Sequence, residues 1–386
     1  ILKSMFNAPD WLTYLKVGGA YTEVGNSYGR FMTTVTYPYD EQTQSWTSTS
    51  SYPNTKLKPE RTKSWEVGLD ARILNDISLN LTYYRSNTYN QTFYADLSLS
   101  SGYSNIPIQS GNIMNEGLEM SLGYNKQWKD FSFNTNYTLT WNKNRVKRLA
   151  DGVYNYATGQ PIQMPELSPL TYGHTDARLI LRVGGSMGDV YGQRLLKRDL
   201  NGYILNEEGV GLAMENKETY LGSILPKMNM GWSLGFGYKG VNLGMTFTGR
   251  FGGIVISETQ SVLDAAGVSK VSADVRDAGG VQINQSKVSA QTYYQTIQGT
   301  AAYYTYSATN VRLGELSLSY TLPKKWFDNK VGMTVGLVGK NLWMIYCKAP
   351  FDPELTTSAA SNFYQGFDAY MLPSTRNFGF NVKFQF

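Results

Sequence analysis

The stretch that decides the fold class is the C-terminal one, Asn377-Phe378-Gly379-Phe380-Asn381-Val382-Lys383-Phe384-Gln385-Phe386. Every second residue from Phe378 onward is apolar, and the residues between them are Gly, Asn, Lys and Gln. Successive side chains of a β-strand point to opposite faces, so this strand has one apolar and one polar face. The pattern predicts a strand that lies between an apolar medium and water.

The same period of two recurs along the chain and predicts ten strands. It is clearest between Trp65 and Ile73, where apolar and polar residues alternate without interruption. In the eighth strand the alternation changes parity near Gly314-Glu315, which predicts a β-bulge. Alternation extends over Leu12–Glu23, Lys63–Leu74, Ile77–Tyr83, Asn112–Gln127, Phe131–Trp141, Met230–Tyr238, Val241–Phe247, Ala308–Leu322, Val331–Trp343 and Phe378–Phe386.

The connections between these strands alternate strictly between short and long. The short ones are Asn75-Asp76, Trp128–Asp130, Lys239-Gly240 and Pro323–Lys330. The long ones are Val24–Thr62, Phe93–Gly111, Arg148–Met228, Ile254–Ser307 and Met344–Ser374. Outer-membrane barrels have short periplasmic turns and long extracellular loops, whereas a soluble sandwich has no reason to segregate loop lengths. The sequence therefore predicts an all-β fold, a transmembrane antiparallel β-barrel with its short turns on the periplasmic side.

The composition agrees with a chain that alternates lipid-facing and water-facing residues. Apolar residues make up 41% and aromatic residues 14%, and no run of about 18 apolar residues occurs that would form a transmembrane helix. The net charge of +5 comes from scattered Lys and Arg, so nothing indicates nucleic-acid binding. A single cysteine, Cys347, excludes an intrachain disulfide. Because the chain starts Ile1-Leu2-Lys3 without Met or a signal peptide, we expect it to be part of a longer protein.

Five motifs along the chain carry a family resemblance. They are Leu15–Tyr21 followed by Gly25-Asn26, Leu57–Asp70, Asn112–Glu119, Arg312–Pro323, and Gly339–Leu342 with Asp352–Glu354. In this order, and with an aromatic residue at the C-terminus, they resemble the SusC/RagA-like TonB-dependent transporters of Bacteroidetes outer membranes.

The resemblance implies a barrel of about 22 strands, of which residues 1–386 would form the C-terminal portion with the last ten strands. An N-terminal plug and the earlier strands would precede this chain. The resemblance also implies a SusD-like surface lipoprotein as partner, TonB acting through the missing N-terminal part, and a dimer of transporter–lipoprotein pairs among the outer membrane lipids. The implied activity is import of oligosaccharides or, as an alternative, of oligopeptides as in the RagA type.

Two sets of side chains are candidates for contact with a substrate. Tyrosines combine an apolar ring with a hydroxyl group, which suits stacking against sugar rings, although an aromatic girdle or loop packing is the alternative. The candidate tyrosines of the long loops are Tyr154, Tyr156, Tyr303, Tyr304 and Tyr306. The alternation also places four charged residues on the lumen-facing side, where they meet substrate, plug or only water: Asp70, Arg72, Glu119 and Arg250.

The sequence gives weak signals for a metal site and for enzyme chemistry. Asp199-Leu200-Asn201-Gly202 is similar to the start of a calcium loop, with Asp199 and Asn201 as oxygen ligands. Tyr203 stands where a further acidic ligand is usual, so an Asx/Gly turn is the alternative. The only histidine, His174, lies in a long loop without a cysteine or second histidine, so we expect no enzyme and, calcium apart, no cofactor.

Two other protein classes fit parts of the pattern. A ten-stranded outer-membrane surface protease fits the strand count, but it needs acids and histidines above the barrel rim, and the chain has one histidine. A soluble lectin-like sandwich fits the aromatic residues but predicts short loops at both ends. It would also bury the apolar strand residues in a dry interior, among them Trp65, Phe133, Trp232 and Phe380.

Overall fold

The computed structural model describes residues 9–47, 49–97, 99–154, 160–164, 166–207, 211–328, 330–355, 357 and 362–386. Its main feature is one antiparallel sheet of ten strands, called the wall here, in which each strand pairs with the next one along the chain. The strands are β1 (Leu12–Asn26), β2 (Glu60–Ile73), β3 (Ile77–Asp96), β4 (Asn105–Trp128), β5 (Phe131–Arg148), β6 (Met228–Tyr238), β7 (Val241–Phe251), β8 (Asn310–Leu322), β9 (Gly332–Cys347) and β10 (Asn377–Gln385). β1 and β10 are the two edges of the open sheet. The predicted number and order of strands are confirmed.

The wall has an apolar face and a polar face, as the alternation predicts. The strand register places apolar residues opposite apolar residues. Trp232, for example, lies opposite Tyr137 of β5 and opposite Phe247 of β7. Most side chains of the apolar face are at least partly exposed: Trp65 is 41% exposed, Trp232 44% and Phe380 79%, and Phe133 is partly exposed. These residues line no interior between two sheets, which excludes the soluble sandwich.

The short turns bend the chain through the left-handed region of backbone conformation. Leu74 and Asn75 have φ angles of 51° and 62°, and Lys239 and Gly240 have 46° and 88°. Two successive positive φ angles are the geometry of a type I′ hairpin, whose twist matches that of the strands. A Cβ on Gly240 would lie 2.8 Å from the carbonyl oxygen of Thr321, so this turn requires glycine.

The β-bulge predicted near Gly314-Glu315 is confirmed. β8 shifts its register between Leu313 and Glu315 against β9, and the matching shift in β7 lies between Thr246 and Phe247. The extra residue returns the apolar side chains of the remaining part of β8 to the apolar face.

The hairpin of β3 and β4 is longer than predicted. The expected loop Phe93–Gly111 is wrong, because β3 continues to Asp96 and β4 already begins at Asn105. Register shifts around Gln91 interrupt the period of two and conceal the continuation in the sequence. Beyond them the strands are held by a buried hydrophobic cluster that includes Ile108, 1% exposed.

The long connections fold together at one end of the wall into what we call the loop layer. A four-stranded sheet consists of Glu166–Thr171, Arg178–Arg182, Asp189–Leu196 and Met214–Ser223. A three-stranded sheet joins Ile254–Ser257, Thr305–Ser307 and Phe367–Asp368, which come from two different connections. The two-stranded pairs are Tyr39–Asp40 with Ser45–Trp46, Ala150–Tyr154 with Pro161–Met164, Asn206–Glu207 with Gly211–Leu212, and Val281–Ile283 with Ser286–Val288. The 3₁₀ turns of the chain are Leu99–Ser101, Ala301–Tyr303, Lys324–Phe327 and Asn362–Gly366.

The connection between β7 and β8 contains three helices where the sequence predicts only a polar loop. They are α1 (Glu258–Ala265), α2 (Lys270–Asp277) and α3 (Ala290–Ile297). Each begins after a capping serine, Ser257, Ser269 or Ser289, whose side chain accepts a hydrogen bond from the N–H three residues on. Helices of eight residues are too short to show a clear period of 3.6, and tertiary packing stabilises them. No helix of the described ranges is long and apolar enough to cross a membrane.

The buried core of the protein lies in the loop layer and at the ends of β3, β4 and β5 that pack against it. Separate hydrophobic clusters form around Val146 (0% exposed), Ile256 (0%) and Ile297 (3%). Apolar side chains of the loop layer and of these strand ends are thus buried against one another, whereas most of those on the apolar face of the wall point out of the protein. The two parts require different surroundings, water for the first and an apolar medium for the second.

Candidate functional site

Buried carboxylates join the long loops into one unit. Asp176, from the connection between β5 and β6, accepts hydrogen bonds at Oδ2 from the backbone N–H of Gln193 (3.0 Å) and Arg194 (2.7 Å). Its Oδ1 accepts a third from Ala301 (2.6 Å), which belongs to the connection between β7 and β8. The Asp176 side chain is 7% exposed. Because these bonds involve a charged acceptor and are shielded from water, they hold the two loops together strongly.

Glu258 and Asp368 extend the junction to the connection between β9 and β10. Glu258, 3% exposed, accepts hydrogen bonds from the backbone N–H of His174 (3.3 Å) and from the Tyr370 hydroxyl (3.3 Å). Asp368 accepts one from Ser257 Oγ at 2.6 Å. The single histidine therefore contributes its backbone to a structural junction, and three long loops share one set of contacts.

Arg312 of β8 fastens the last long loop to the wall. Its guanidinium donates two parallel hydrogen bonds to the Asp352 carboxylate (2.9 and 2.8 Å) and two more to Asn310 Oδ1 (3.1 and 3.0 Å). The side chains of Arg312 and Asp352 are 10% and 8% exposed, and Glu354 Oε2 lies 3.4 Å from the same guanidinium. Burial raises the pKa of Asp352, but the hydrogen bonds from Arg312 and Glu354 N outweigh it and hold that pKa below its usual value.

Sequence reasoning missed the joining role of these carboxylates. Asp176 and Ala301 are far apart in sequence, and no local pattern indicates that they meet. The sequence around Glu258 does indicate the start of a helix, because Ser257-Glu258-Thr259-Gln260 has the form of a capping box. Asp352 was recognised only as part of a family motif.

Asp176→Asn is expected to loosen the junction between the two largest loops. The amide keeps one acceptor oxygen but turns its NH₂ toward a backbone N–H, so at least one buried donor loses its partner, at a cost of about 1–3 kcal/mol. Hydrogen exchange of peptides that cover residues 193–194 and 301 should become faster. The matched control is Asp277→Asn, since the Asp277 side chain is 74% exposed beside Arg276; equal exchange in both variants would contradict the assignment.

The prediction that Tyr304 stacks on a substrate is wrong. It is 2% exposed and packs in the hydrophobic cluster of Ile297 and Leu196, so it has no free ring face. Burial raises the pKa of its hydroxyl well above the usual value. Tyr303, partly exposed, packs against the same cluster, and its hydroxyl accepts a hydrogen bond from Leu196 N at 3.0 Å. Substrate contact by Tyr303 stays a prediction.

The other candidate tyrosines are spread over the loop layer and do not form one platform. Tyr306 lies edge-on against Phe351, with ring centroids 5.6 Å apart, and it retains partial exposure. Tyr154 ends a short strand, and Tyr156 lies outside the described residues. A sugar-stacking role of these three residues stays a prediction.

The structure places the four predicted lumen-facing charges on the polar face, but not together. Asp70 accepts a hydrogen bond from Asn80 Nδ2, and Arg72 lies 5.9 Å from the Tyr14 ring centroid. Glu119 stands between two threonines in the register. Arg250 is covered by the loop layer and donates to the carbonyl of Ile224 at 2.9 Å. Their contact with a substrate or plug stays a prediction.

The segment from Asp199 to Gly202, predicted as a possible calcium loop or an Asx turn, has the geometry of an Asx turn. Asp199 Oδ1 accepts hydrogen bonds from the backbone N–H of Asn201 (2.8 Å) and Tyr203 (2.9 Å). Gly202 has a φ of 85°, as the turn requires. In the described part of the chain, no group of three or more His, Cys, Asp or Glu side chains is placed to hold a metal ion. The turn by itself accounts for both predicted ligands.

A cavity of about 510 Å³ lies at the junction of wall and loop layer. Asp189 and Tyr220 line it, and the Tyr220 hydroxyl donates to Asp189 Oδ1 at 3.1 Å. Burial raises the pKa of Asp189 above its usual value, while Ser186 N–H and the Tyr220 hydroxyl oppose this effect. Burial, together with the nearby carboxylate, also raises the pKa of Tyr220 to about 12, so its hydroxyl stays a donor at physiological pH.

Tyr220→Phe is expected to destabilise the loop layer more at neutral than at acidic pH. The net raised pKa of Asp189 means that its contribution to stability is largest below its unfolded pKa and is lost as pH rises through the folded pKa. Removing the hydroxyl raises the folded pKa further, so the loss, about 1 kcal/mol for this partly exposed tyrosine, grows with pH. Unfolding midpoints between pH 4 and 8 measure it. Tyr191→Phe, on the ring beside Tyr220, should show no such slope; parallel curves would contradict the prediction.

Comparison with known proteins identifies relatives over most of the chain. A family model described as TonB dependent receptor-like, beta-barrel, matches residues 5–342. TonB-dependent receptor P3 of Formosa agariphila is 26% identical over 365 residues, which cover 87% of this chain and 35% of that protein. TonB-dependent receptor SusC of Bacteroides thetaiotaomicron is 27% identical over 132 residues, which cover 33% of this chain and 12% of that protein. The chain thus spans about a third of the length of the Formosa relative.

Solved structures share the architecture. The RagAB peptide transporter structure superimposes with a TM-score of 0.70 at 19% identity, covering 99% of this chain and 42% of that chain. The "closed-closed" state of the RagAB peptide importer gives the same TM-score of 0.70 at 18% identity. Both the wall and the loop layer are therefore present in a known fold.

Proposed function

Because the chain belongs to the TonB dependent receptor-like β-barrel family, we propose that it is the C-terminal portion of an active importer of oligosaccharides. The resemblance inferred from the motifs is confirmed by this membership. The family is one of outer-membrane β-barrels and not of enzymes, so the chain belongs to the outer membrane and the surface protease is not a candidate. The observation that carries the proposal is the combination of a two-faced wall with a packed loop layer at one end.

In this proposal the wall separates lipid from a water-filled lumen. Its ten strands and earlier strands of the same polypeptide, about 22 in all, close into a barrel, so that no strand edge meets lipid. A plug contributed by the preceding part of the polypeptide fills the lumen. TonB, energised by the inner membrane, displaces the plug and lets the substrate pass.

The proposed partner is a SusD-like surface lipoprotein that lies over the loop layer. The buried carboxylates support this arrangement, because they make three long loops into one firm surface on which a second protein can sit. Substrate would be enclosed between the lipoprotein, the loop layer and the plug. Two such pairs would form a dimer.

The chemistry of the polar face supports a neutral, hydroxyl-rich substrate. Where β5 and β6 pair, this face carries amides, hydroxyls and glycines and no charges: Ser132, Asn134, Asn136, Thr138, Thr140, Asn229, Gly231, Ser233, Gly235 and Gly237. Such groups exchange hydrogen bonds with sugar hydroxyls without the desolvation cost of a charge.

Oligopeptides are the second candidate substrate. The backbone amides of a peptide also need donors and acceptors, and the polar face offers both. The RagAB structures, which share this architecture, are described as those of a peptide transporter and importer.

Uptake by the complete protein decides between the two substrates. A strain that lacks the gene is complemented with the full-length protein and grown on defined oligosaccharides or on oligopeptides as the limiting nutrient. We expect restored growth on oligosaccharides, abolished when TonB is inactivated, and co-purification of a surface lipoprotein. Restored growth on peptides alone would establish the second candidate. Growth that does not depend on TonB would refute active import for both.

A further inference from the structure

The apolar face of the wall ends in a row of charged residues on β3 to β5. The last uncharged row in the register consists of Val67, Tyr83, Leu118 and Trp141. The next row toward the loop layer consists of Trp65, Arg85, Glu116 and Lys143. A change from aliphatic through aromatic to charged side chains marks the boundary between hydrocarbon and headgroups. These charges therefore lie at the level of the outer-leaflet headgroups.

Cations outnumber acids at this boundary. The register places the following charged residues of β1 to β5 on this side of the wall: Arg61, Lys63, Arg85, Lys143 and Arg145, with Glu23 and Glu116. Glu23 lies 3.0 Å from Arg61 and 3.7 Å from Lys63, and Glu116 lies 3.7 Å from Lys143. Glu23 is thus shared by two cations and Glu116 contacts one, so the patch of five cations and two acids keeps a positive excess.

The patch adjoins a gap in the wall. β5 continues past the beginning of β6, since the last register pair is Trp141 with Met228. Farther up, β5 bonds to the loop layer instead: Gly184 N–H donates to the Val146 carbonyl and Val146 N–H to the Gly185 carbonyl, both at 2.8 Å. The cavity of about 510 Å³ described above fills this gap, which we call the notch.

The lining of the notch suits a phosphorylated sugar. Lys143, Arg145 and Lys227 bring three cations to it, whereas Asp189 is its single carboxylate and is already bonded to Ser186 N–H (2.8 Å) and Tyr220. Arginine and lysine are the side chains that proteins use for phosphate. The remaining lining includes an apolar floor against which the face of a sugar ring can pack: Leu225, Pro226 and Ile254. A volume of this size is typical of small-ligand sites.

We propose that the notch binds the phosphorylated sugar headgroup of an outer-leaflet glycolipid. The acyl chains would lie along the apolar face below Trp141, and the phosphate would meet Lys143 and Arg145 directly above that ring. A lipid explains the position of the site better than a soluble anion does, because the cations begin one register row above the hydrocarbon boundary. The site depends on the outer-membrane location and not on the identity of the imported substrate. A bound headgroup would also bridge the wall and the loop layer, since both line the notch.

The test compares the amount of glycolipid that stays bound to the purified full-length wild type and to variants of the notch. Wild type and Lys143→Gln/Arg145→Gln are extracted from the native outer membrane in mild detergent, and bound phosphorylated glycolipid is counted by native mass spectrometry. We expect at least a fivefold loss in the double variant. Lys270→Gln/Arg276→Gln, which removes two cations paired with acids in the loop layer, should retain the lipid. Equal retention in wild type and the Lys143/Arg145 variant would overturn the proposal.

Two further arms test the charge of the site and the phosphate of the lipid separately. The charge-preserving variant Lys143→Arg/Arg145→Lys should keep the lipid, and loss of the lipid from this variant would contradict a charge-based site. Delipidated wild type is then offered intact or dephosphorylated glycolipid, and we expect at least a fivefold preference for the intact form. Equal binding of both forms would overturn phosphate recognition. Displacement by millimolar inorganic phosphate would overturn the lipid assignment in favour of a free anion.

Discussion

Replacing Arg312 with alanine is expected to release the last long loop, residues 348–376, from the wall. The Asp352 carboxylate, 8% exposed in its side chain, would lose both hydrogen bonds of its bidentate pair, and the oxygen of the fully buried Asn310 would lose two more. Removing one partner of a buried ion pair leaves an uncompensated charge and costs about 3–5 kcal/mol. Limited proteolysis of the full-length protein in detergent should show rapid cleavage within 348–376.

The chain contains a matched control for this experiment. Arg182 also contacts two carboxylates, Glu166 and Glu218, each at 2.6 Å, but these side chains are 33%, 47% and 36% exposed. Exposed ion pairs contribute about 0–1 kcal/mol, so Arg182→Ala should leave the proteolysis pattern nearly unchanged. Equal protection of segment 348–376 in both variants would show that Arg312 does not hold the loop.

Replacing Leu81 with arginine is expected to block assembly of the wall. Leu81 lies opposite Leu69 and Met120 on the apolar face, well inside the rows that carry no charge. An arginine facing the middle of the lipid layer of a barrel costs about 2–4 kcal/mol. The amount of folded, heat-modifiable full-length protein in the outer membrane fraction measures the loss.

The neighbouring residue tests whether the face, and not the strand, determines this cost. Thr82 follows Leu81 on β3 and points to the polar face, where Gly68 and Glu119 lie opposite. Thr82→Arg places the same side chain in water beside a carboxylate, so we expect near-normal assembly. A similar defect in both variants would contradict the two-faced wall.

The wall was predictable from the sequence because its determinants are local. A period of two becomes visible within a few residues. The turn residues around Asn75 and Lys239 indicate the hairpins. The parity change at Gly314 even located the bulge. The prediction failed where register shifts around Gln91 interrupted the period, so the upper part of the β3–β4 hairpin was taken for a loop.

The loop layer was not predictable because its determinants are distant in sequence. The Tyr172 hydroxyl donates to the carbonyl of Phe363 at 2.7 Å, across 191 residues of sequence. Asp176 reaches Ala301 across 125 residues. The tyrosines show the limit most clearly: as a residue type they fit sugar binding, yet packing with Ile297 buries Tyr304 in the core. Residue chemistry indicated what a tyrosine can do, but only the three-dimensional contacts decide whether its ring is free.

The separation of a solvent-shielded core from an outward-facing wall has a calorimetric consequence. Heat capacity rises on denaturation when apolar groups become hydrated. In detergent, the side chains around Trp232 stay in contact with alkyl chains before and after the wall melts, whereas the clusters around Ile256 pass into water. The protein should therefore denature with a smaller heat-capacity increment per residue than a globular protein of equal length, and most of that increment should belong to the extracellular end of the molecule.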